Sequence, residues 1–323
     1  MYRTLATVAA ATLALCAASS ALAQGNWPSK PITIVVPFGA GGNTDVMARM
    51  AAAHLGKALG TSVVVDNKPG ASGLIAARQV LGAPADGHTL FMATATQIVT
   101  APFVNASFNF DALKEFAPVV NIGANSFVLT TRSSLPAKNV GELITLAKQT
   151  PGKITYGSGG TGALTQLSAY LFAKRAGVEM THVPYKGGAA VMTDLIGGQI
   201  DMYSASPSEV IPQMNSGKIR LLAISSPTRL KELPNVPTIA ETFPGYEVST
   251  WNGLVAKAGT PPEVLDRIAS EVAKMKDDPA IVKKLEDMGV VPMFVTRAAF
   301  GAQIQREVDM WGKALKNSGI QAD

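Results

Sequence analysis

The stretch Pro37-Phe38-Gly39-Ala40-Gly41-Gly42-Asn43-Thr44-Asp45 constrains this chain most. It joins an apolar β-branched run, residues 32–36, to an amphipathic helical run that starts near Thr44. A glycine-rich turn at such a junction leaves the first N–H groups of the helix unpaired, and the positive end of the helix dipole then favours a bound anion. A second turn of this kind, Tyr156-Gly157-Ser158-Gly159-Gly160-Thr161-Gly162, also follows a short strand and precedes a helix. Glycine alone permits tight turns in any α/β protein. What points further is the hydroxyl and amide content at the predicted loops and helix starts: Asn43, Thr44, Ser72, Thr94, Thr96, Gln97, Ser158, Thr161, Ser204 and Ser206. These side chains can cap their own helices or bind a shared ligand. Two such turns, over a hundred residues apart, suggest two lobes gripping one small molecule.

The rest of the chain repeats the alternation. A strand at 63–65, a helix from Leu74 and a strand at 89–92 extend the first unit into a mostly parallel sheet with helices on both sides. In an open sheet of that kind the loops after the strands share the edge where ligands bind. An extended segment at 127–131 leads to helix 140–149, strand 154–156, helix 163–176, strand 181–184, helix 189–196, strand 200–203, helix 207–215 and strand 219–224. These make a second α/β lobe. Beyond Pro234, Pro237, Pro244 and Gly245 come Trp251-Asn252-Gly253-Leu254-Val255 and helices at 262–276, 279–288 and 297–316, which can cover the first lobe. The expected division is a leader at 1–23, the first lobe at 24–126 and 226–323, and the second lobe at 127–225, with two crossings that act as a hinge. A length of 323 residues suits two such units.

Residues 1–23 read as a secretory signal peptide: Arg3 supplies the positive end, an apolar run follows, and Ala21-Leu22-Ala23 is a cleavage site. The expected product is soluble and periplasmic. Its one cysteine, Cys16, lies in that leader; a lipid anchor there would have the bulky Leu15 before it. The mature chain then has no thiol for a disulfide, metal or nucleophile. Without Arg3 it carries 27 basic and 23 acidic residues, a mild excess with no basic stripe to bind nucleic acid.

Gly157-Ser158-Gly159-Gly160-Thr161-Gly162 is a literal G-x-G-x-x-G, but the next strand ends in Pro184-Tyr185-Lys186 where a dinucleotide fingerprint expects an acid. In the first loop Thr44 stands where the third glycine belongs. There is no G-x-S-x-G elbow, no phosphate-loop signature and no metal-ligand cluster. The three histidines, His54, His88 and His182, fall in a helix, a turn and a strand, with His182 read as a packed strand residue. No cofactor or metal is expected. Asp45 in the first helical turn is read as structural, because it would repel an anion. Arginine is absent from each of these candidate loops and Lys186 is the one obvious cation, so the residues favour a small carboxylate held by neutral donors over a polyphosphate.

At this point the chain closely resembles the substrate-binding proteins of tripartite tricarboxylate transporters, the Bug receptors. The matching stretches include Trp27-Pro28-Ser29-Lys30-Pro31-Ile32, the first glycine loop, Asn67-Lys68-Pro69-Gly70-Ala71-Ser72-Gly73, Pro84-Ala85-Asp86-Gly87-His88, His182-Val183-Pro184-Tyr185-Lys186-Gly187 and Pro237-Thr238-Ile239-Ala240-Glu241. The resemblance implies a two-lobed periplasmic binding protein of type II-like α/β fold, which closes on a small organic carboxylate and delivers it to inner-membrane permease subunits. It maps the carboxylate grip onto Gly41, Gly42, Asn43 and Thr44 and, opposite them, Ser158, Gly159, Gly160, Thr161 and Gly162. Phe38, Ser72, Thr94, Thr96, Gln97, Tyr203, Ser204, Ser206 and Asn252 complete the candidate set. The chain departs from common family patterns at Thr94-Ala95-Thr96-Gln97, Tyr203-Ser204-Ala205 and Asn252, where selectivity is expected to lie. Two rival readings use the same cleft: a receptor signalling to a sensor kinase, and an exported enzyme, which would need a base or nucleophile there.

Overall fold

Alternation along the first strands decides the architecture. The computed structural model describes residues 27–316 and Ile320; the expected leader and its cleavage site after Ala23 lie outside them. Strand β1 (Ile32–Val36) pairs in parallel with β2 (Val63–Asn67) and β3 (Thr89–Thr94). Side chains on a strand point alternately to opposite faces. Ile32, Ile34 and Val36, with Leu90 and Met92, therefore pack under helix α1 (Asn43–Leu59) against Met47, Ala48, Ala51 and Leu55. Val35 and Phe91 face the other way, onto Ala76, Ala77 and Val80 of α2 (Leu74–Gly82). Helix α1 ends where Gly60 takes the left-handed conformation (φ 64°).

The chain then runs through β4 (Phe116–Ser126) and crosses at Phe127 into a second sheet as β5 (Val128–Arg132). Helix α3 (Val140–Gln149), β6 (Thr155–Ser158), α4 (Leu164–Ala176), β7 (Thr181–Pro184), α5 (Gly188–Ile196), β8 (Met202–Ala205) and β9 (Ile219–Ile224) follow, and the spatial order is β7-β6-β8-β5-β9. Strand β6 is parallel to β7 and β8; β5 is antiparallel to β8 and β9. The helix expected over 207–215 is a single α-turn, Pro207–Val210, followed by a tighter turn, Ile211–Gln213. Pro212 has no N–H to continue the helical ladder.

Residues 226–248 stay beside β9, bridged at Ile224 and Thr238, and the chain re-enters the first sheet at Ser249. There β10 (Ser249–Lys257) lies antiparallel between β3 and β4. After α6 (Pro262–Ala273) and α7 (Pro279–Asp287), β11 (Val291–Thr296) adds to the edge of β4, and α8 (Arg297–Leu315) closes the chain. The sheet order is β11-β4-β10-β3-β1-β2. Each sheet thus joins a parallel block, built by the strand-loop-helix units, to antiparallel strands. The two crossings run side by side, joined by Ser225: its N–H donates to Phe127 O at 2.8 Å, its hydroxyl accepts from Phe127 N–H at 2.7 Å and donates to Val248 O.

Candidate functional site

The loops after the parallel strands of both sheets converge on one cavity of about 70 Å3. The first sheet contributes Phe38, Gly39, Gly42, Asn43, Thr44, Thr94, Thr96, Thr250 and Asn252, and the crossing contributes Phe127; the second sheet contributes Gly159, Ala163, Leu164, Thr165, Gly188, Tyr203, Ser206 and Glu209. Helix α1 starts at this wall from Gly42 with no side-chain cap, and the N–H groups of Asn43 and Thr44 have no partner among the described residues. Beside them the Thr44 hydroxyl donates to Asn252 Oδ1 at 2.8 Å. Asn252 and Asn43 both donate to Asn125 Oδ1, at 3.3 and 3.1 Å, while the Asn125 amide nitrogen is turned to Ser126 O. This chain of donors fixes every amide orientation in the cluster. It leaves Asn43 Oδ1 buried without a partner.

The loop is held from behind. Asp45, 2% exposed, accepts Gly41 N–H at 2.9 Å, Asn67 Nδ2 at 2.9 Å and the Arg49 guanidinium. Burial pushes its carboxyl up, but Arg49, the Gly41 N–H and Asn67 together hold it below the usual value. Asp45 is not in the cavity wall.

Ten of the sequence candidates line the cavity: Phe38, Gly42, Asn43, Thr44, Thr94, Thr96, Gly159, Tyr203, Ser206 and Asn252. The structure gives the other eight different surroundings. Gly41 binds Asp45, and Ser204 lies within β8. Gln97 accepts from Thr94 N–H and Oγ1 and donates to Ser72 O, locking one loop to the next. The second glycine loop and the helix start after it spend their donors on protein acceptors. Gly159 N–H goes to Thr165 Oγ1 (3.0 Å), Gly160 N–H to Ser158 Oγ (3.1 Å), Gly162 N–H to Gln166 Oε1 (2.7 Å) and Leu164 N–H to Thr96 Oγ1 (3.2 Å). The same loop meets the first sheet's loops directly: Ser72 Oγ donates to Thr161 O and Thr100 Oγ1 to Gly162 O at 3.0 Å. Gly160, Thr161 and Gly162 therefore form a seam between the sheets, and Ser158 braces the turn from within the second sheet through Gly160 and His182.

Lys186 is exposed and stands outside the wall, which holds no Lys, Arg or His. Its one acidic group is Glu209, which the sequence candidates did not include. Glu209 Oε2 accepts Tyr203 Oη at 3.0 Å and Ser206 N–H at 2.9 Å. Burial raises its carboxyl above the usual range against the lowering effect of those two donors, and burial beside Glu209 pushes the Tyr203 hydroxyl well up. A signal was there: Ser206-Pro207-Ser208-Glu209 has the spacing of a capping box, which turns the acid back toward the helix start.

Two mixed sheets meeting at a cleft of this kind define a two-lobed periplasmic binding protein. The R. palustris protein Rpa4515, solved with adipate, superposes with a TM-score of 0.88 at 36% identity, over 91% of this chain and 99% of that one. The periplasmic binding protein BugD matches with a TM-score of 0.87 at 31% identity, over 92% and 100% of the two chains. MatC (Rpa3494) from Rhodopseudomonas palustris, with bound malate, gives 0.84 at 27% identity over 90% and 100%. Residues 47–320 match the profile of the tripartite tricarboxylate transporter family receptors, and the chain belongs to that family.

Proposed function

We propose that this chain is a periplasmic receptor that captures a small organic carboxylate between its lobes by hinge closure and delivers it to the inner-membrane permease subunits of a tripartite transporter. The observation that carries the reading is the uncapped start of α1 at the cavity, where two free N–H groups sit next to the Thr44–Asn252–Asn125 cluster. Unpaired helix N-terminal donors favour an anion, and solved relatives hold adipate and malate. The lobes move about the paired crossings at Phe127 and at Val248 to Ser249, with residues 226–248 riding on the second lobe. Closure expels water and strengthens the hydrogen bonds to the carboxylate. Capture is stoichiometric, without turnover.

Titration calorimetry with adipate, malate and shorter and longer carboxylates tests this. At least one is expected to bind one-to-one, and Asn252→Ala to weaken it about tenfold, or ~1.4 kcal/mol. No heat with any carboxylate would overturn it. In a deletion strain, loss of uptake with gene induction intact supports delivery to a permease; the reverse outcome supports signalling to a sensor kinase. Mass spectrometry of the exported protein is expected to find Gln24 at its start.

A further inference from the structure

The cavity wall holds one carboxyl group, Glu209, and no Lys, Arg or His. Glu209 commits Oε2 to Tyr203 and Ser206, while Oε1 has no partner among the described residues. The backbone at Gly188, the first residue of α5, comes so close that a Cβ there would overlap Oε1. The acid is therefore held at the start of a nine-residue helix that has no side-chain cap, a place that favours a carboxylate anion. The cavity thus presents one unpaired carboxyl oxygen, and no wall cation balances Glu209. A buried acceptor without a donor is costly, and an unpaired buried charge more so. A plain dicarboxylate offers only acceptors and brings no cation to hold Glu209 ionised.

We propose that the ligand is a zwitterion, with its carboxylate on the N-terminal turn of α1 and an ammonium group paired with Glu209. The inference rests on the carboxylate reading above and narrows it to amino-substituted carboxylates. A hydroxyl in place of the ammonium is a weaker partner, because hydrogen bonds with charge on both sides are the stronger ones.

Calorimetry on matched pairs tests it: succinate against aspartate, glutarate against glutamate, and butyrate against 4-aminobutyrate, with the wild-type protein and Glu209→Gln. In at least one pair the wild type is expected to bind the amino member tenfold or more tighter than its parent. Glu209→Gln, which keeps an acceptor for Tyr203 and Ser206, is expected to lose that preference while keeping its thermal transition. Equal or tighter binding of the parent acids by the wild type overturns the zwitterion and leaves the carboxylate reading standing. Binding by no member of any pair overturns both. A preference that survives in Glu209→Gln also overturns the assignment, and if that variant does not fold, the wild-type comparison alone decides.

Discussion

His182 Nε2 lies 2.6 Å from Ser158 Oγ, and the direction of that hydrogen bond follows from its neighbours. Gln166 Oε1 is taken by Gly162 N–H, so the Gln166 amide nitrogen faces His182 Nδ1 at 3.2 Å and donates to it. Nδ1 is then an acceptor, and the ring proton sits on Nε2. The Ser158 hydroxyl, receiving that proton's hydrogen bond, sends its own to Gly160 O at 3.0 Å. One neutral imidazole thereby ties β7, α4 and the glycine turn of the second lobe into a single network. The sequence reading of His182 as a packed strand residue did not reveal this link.

The network fixes a pH response. Burial lowers the His182 pKa from 6.5 to about 4. In the unfolded chain the ring takes up a proton as pH falls through 6.5, while the folded protein stays neutral until about 4, so stability declines across that window and levels off below it. The share of His182 is at most ~3 kcal/mol. Thermal melts of wild type and His182→Gln between pH 7 and 4 should converge as the pH falls, the wild type losing its advantage. Parallel curves would mean the imidazole is not held neutral.

Gly160 packs against Ser72 of the facing loop. Its φ is +125°, and a Cβ there would stand 2.6 Å from Ser72 Oγ and 3.4 Å from the Ser72 backbone. Gly160→Val therefore meets both strain and collision, and is expected to keep the lobes apart and weaken ligand binding at least tenfold. Ser72→Gly added to Gly160→Ala should recover part of the loss, since Ser72 itself sits at φ 54°, where glycine is at ease. Small-angle scattering with ligand present reads the closure. An unchanged radius of gyration in Gly160→Val would show that the seam does not limit it.

What the sequence disclosed and what it hid divide along local and non-local physics. Ile32–Val36 and Asn43–Leu59 were legible because β-branching, helical period and the stop at Gly60 are written in neighbouring residues. Strand β4 was not, since Pro118, Asn121, Gly123 and Asn125 interrupt any apolar alternation. Strand β11 carries Pro292, a register shift and Phe294 at φ 48°, which erase the period of two. The first glycine loop keeps free donors because nothing within its own turn takes them. The second has the same local pattern, but its N–H groups go to Thr165, Gln166 and Thr96, and the last of these belongs to the other lobe. Glycine spacing cannot report where a donor ends up once the chain is packed.

Ser225 is the remaining test of how the lobes are joined. It is wholly buried, and its hydroxyl serves both crossings at once, accepting Phe127 N–H and donating to Val248 O. Ser225→Ala removes both partners without adding volume, leaving a backbone donor and a carbonyl with one fewer bond. Leaving such groups unpaired costs ~1–3 kcal/mol, far more than the methyl gains. Because the loss falls on the strands that connect the sheets, it should appear as local opening before global unfolding. Hydrogen exchange followed by mass spectrometry is expected to show the Phe127 amide exchanging at least tenfold faster in Ser225→Ala, while amides in β1 and β6 keep their protection. If the Phe127 amide stays equally protected, the two crossings are held by the sheets on either side and not by this hydroxyl.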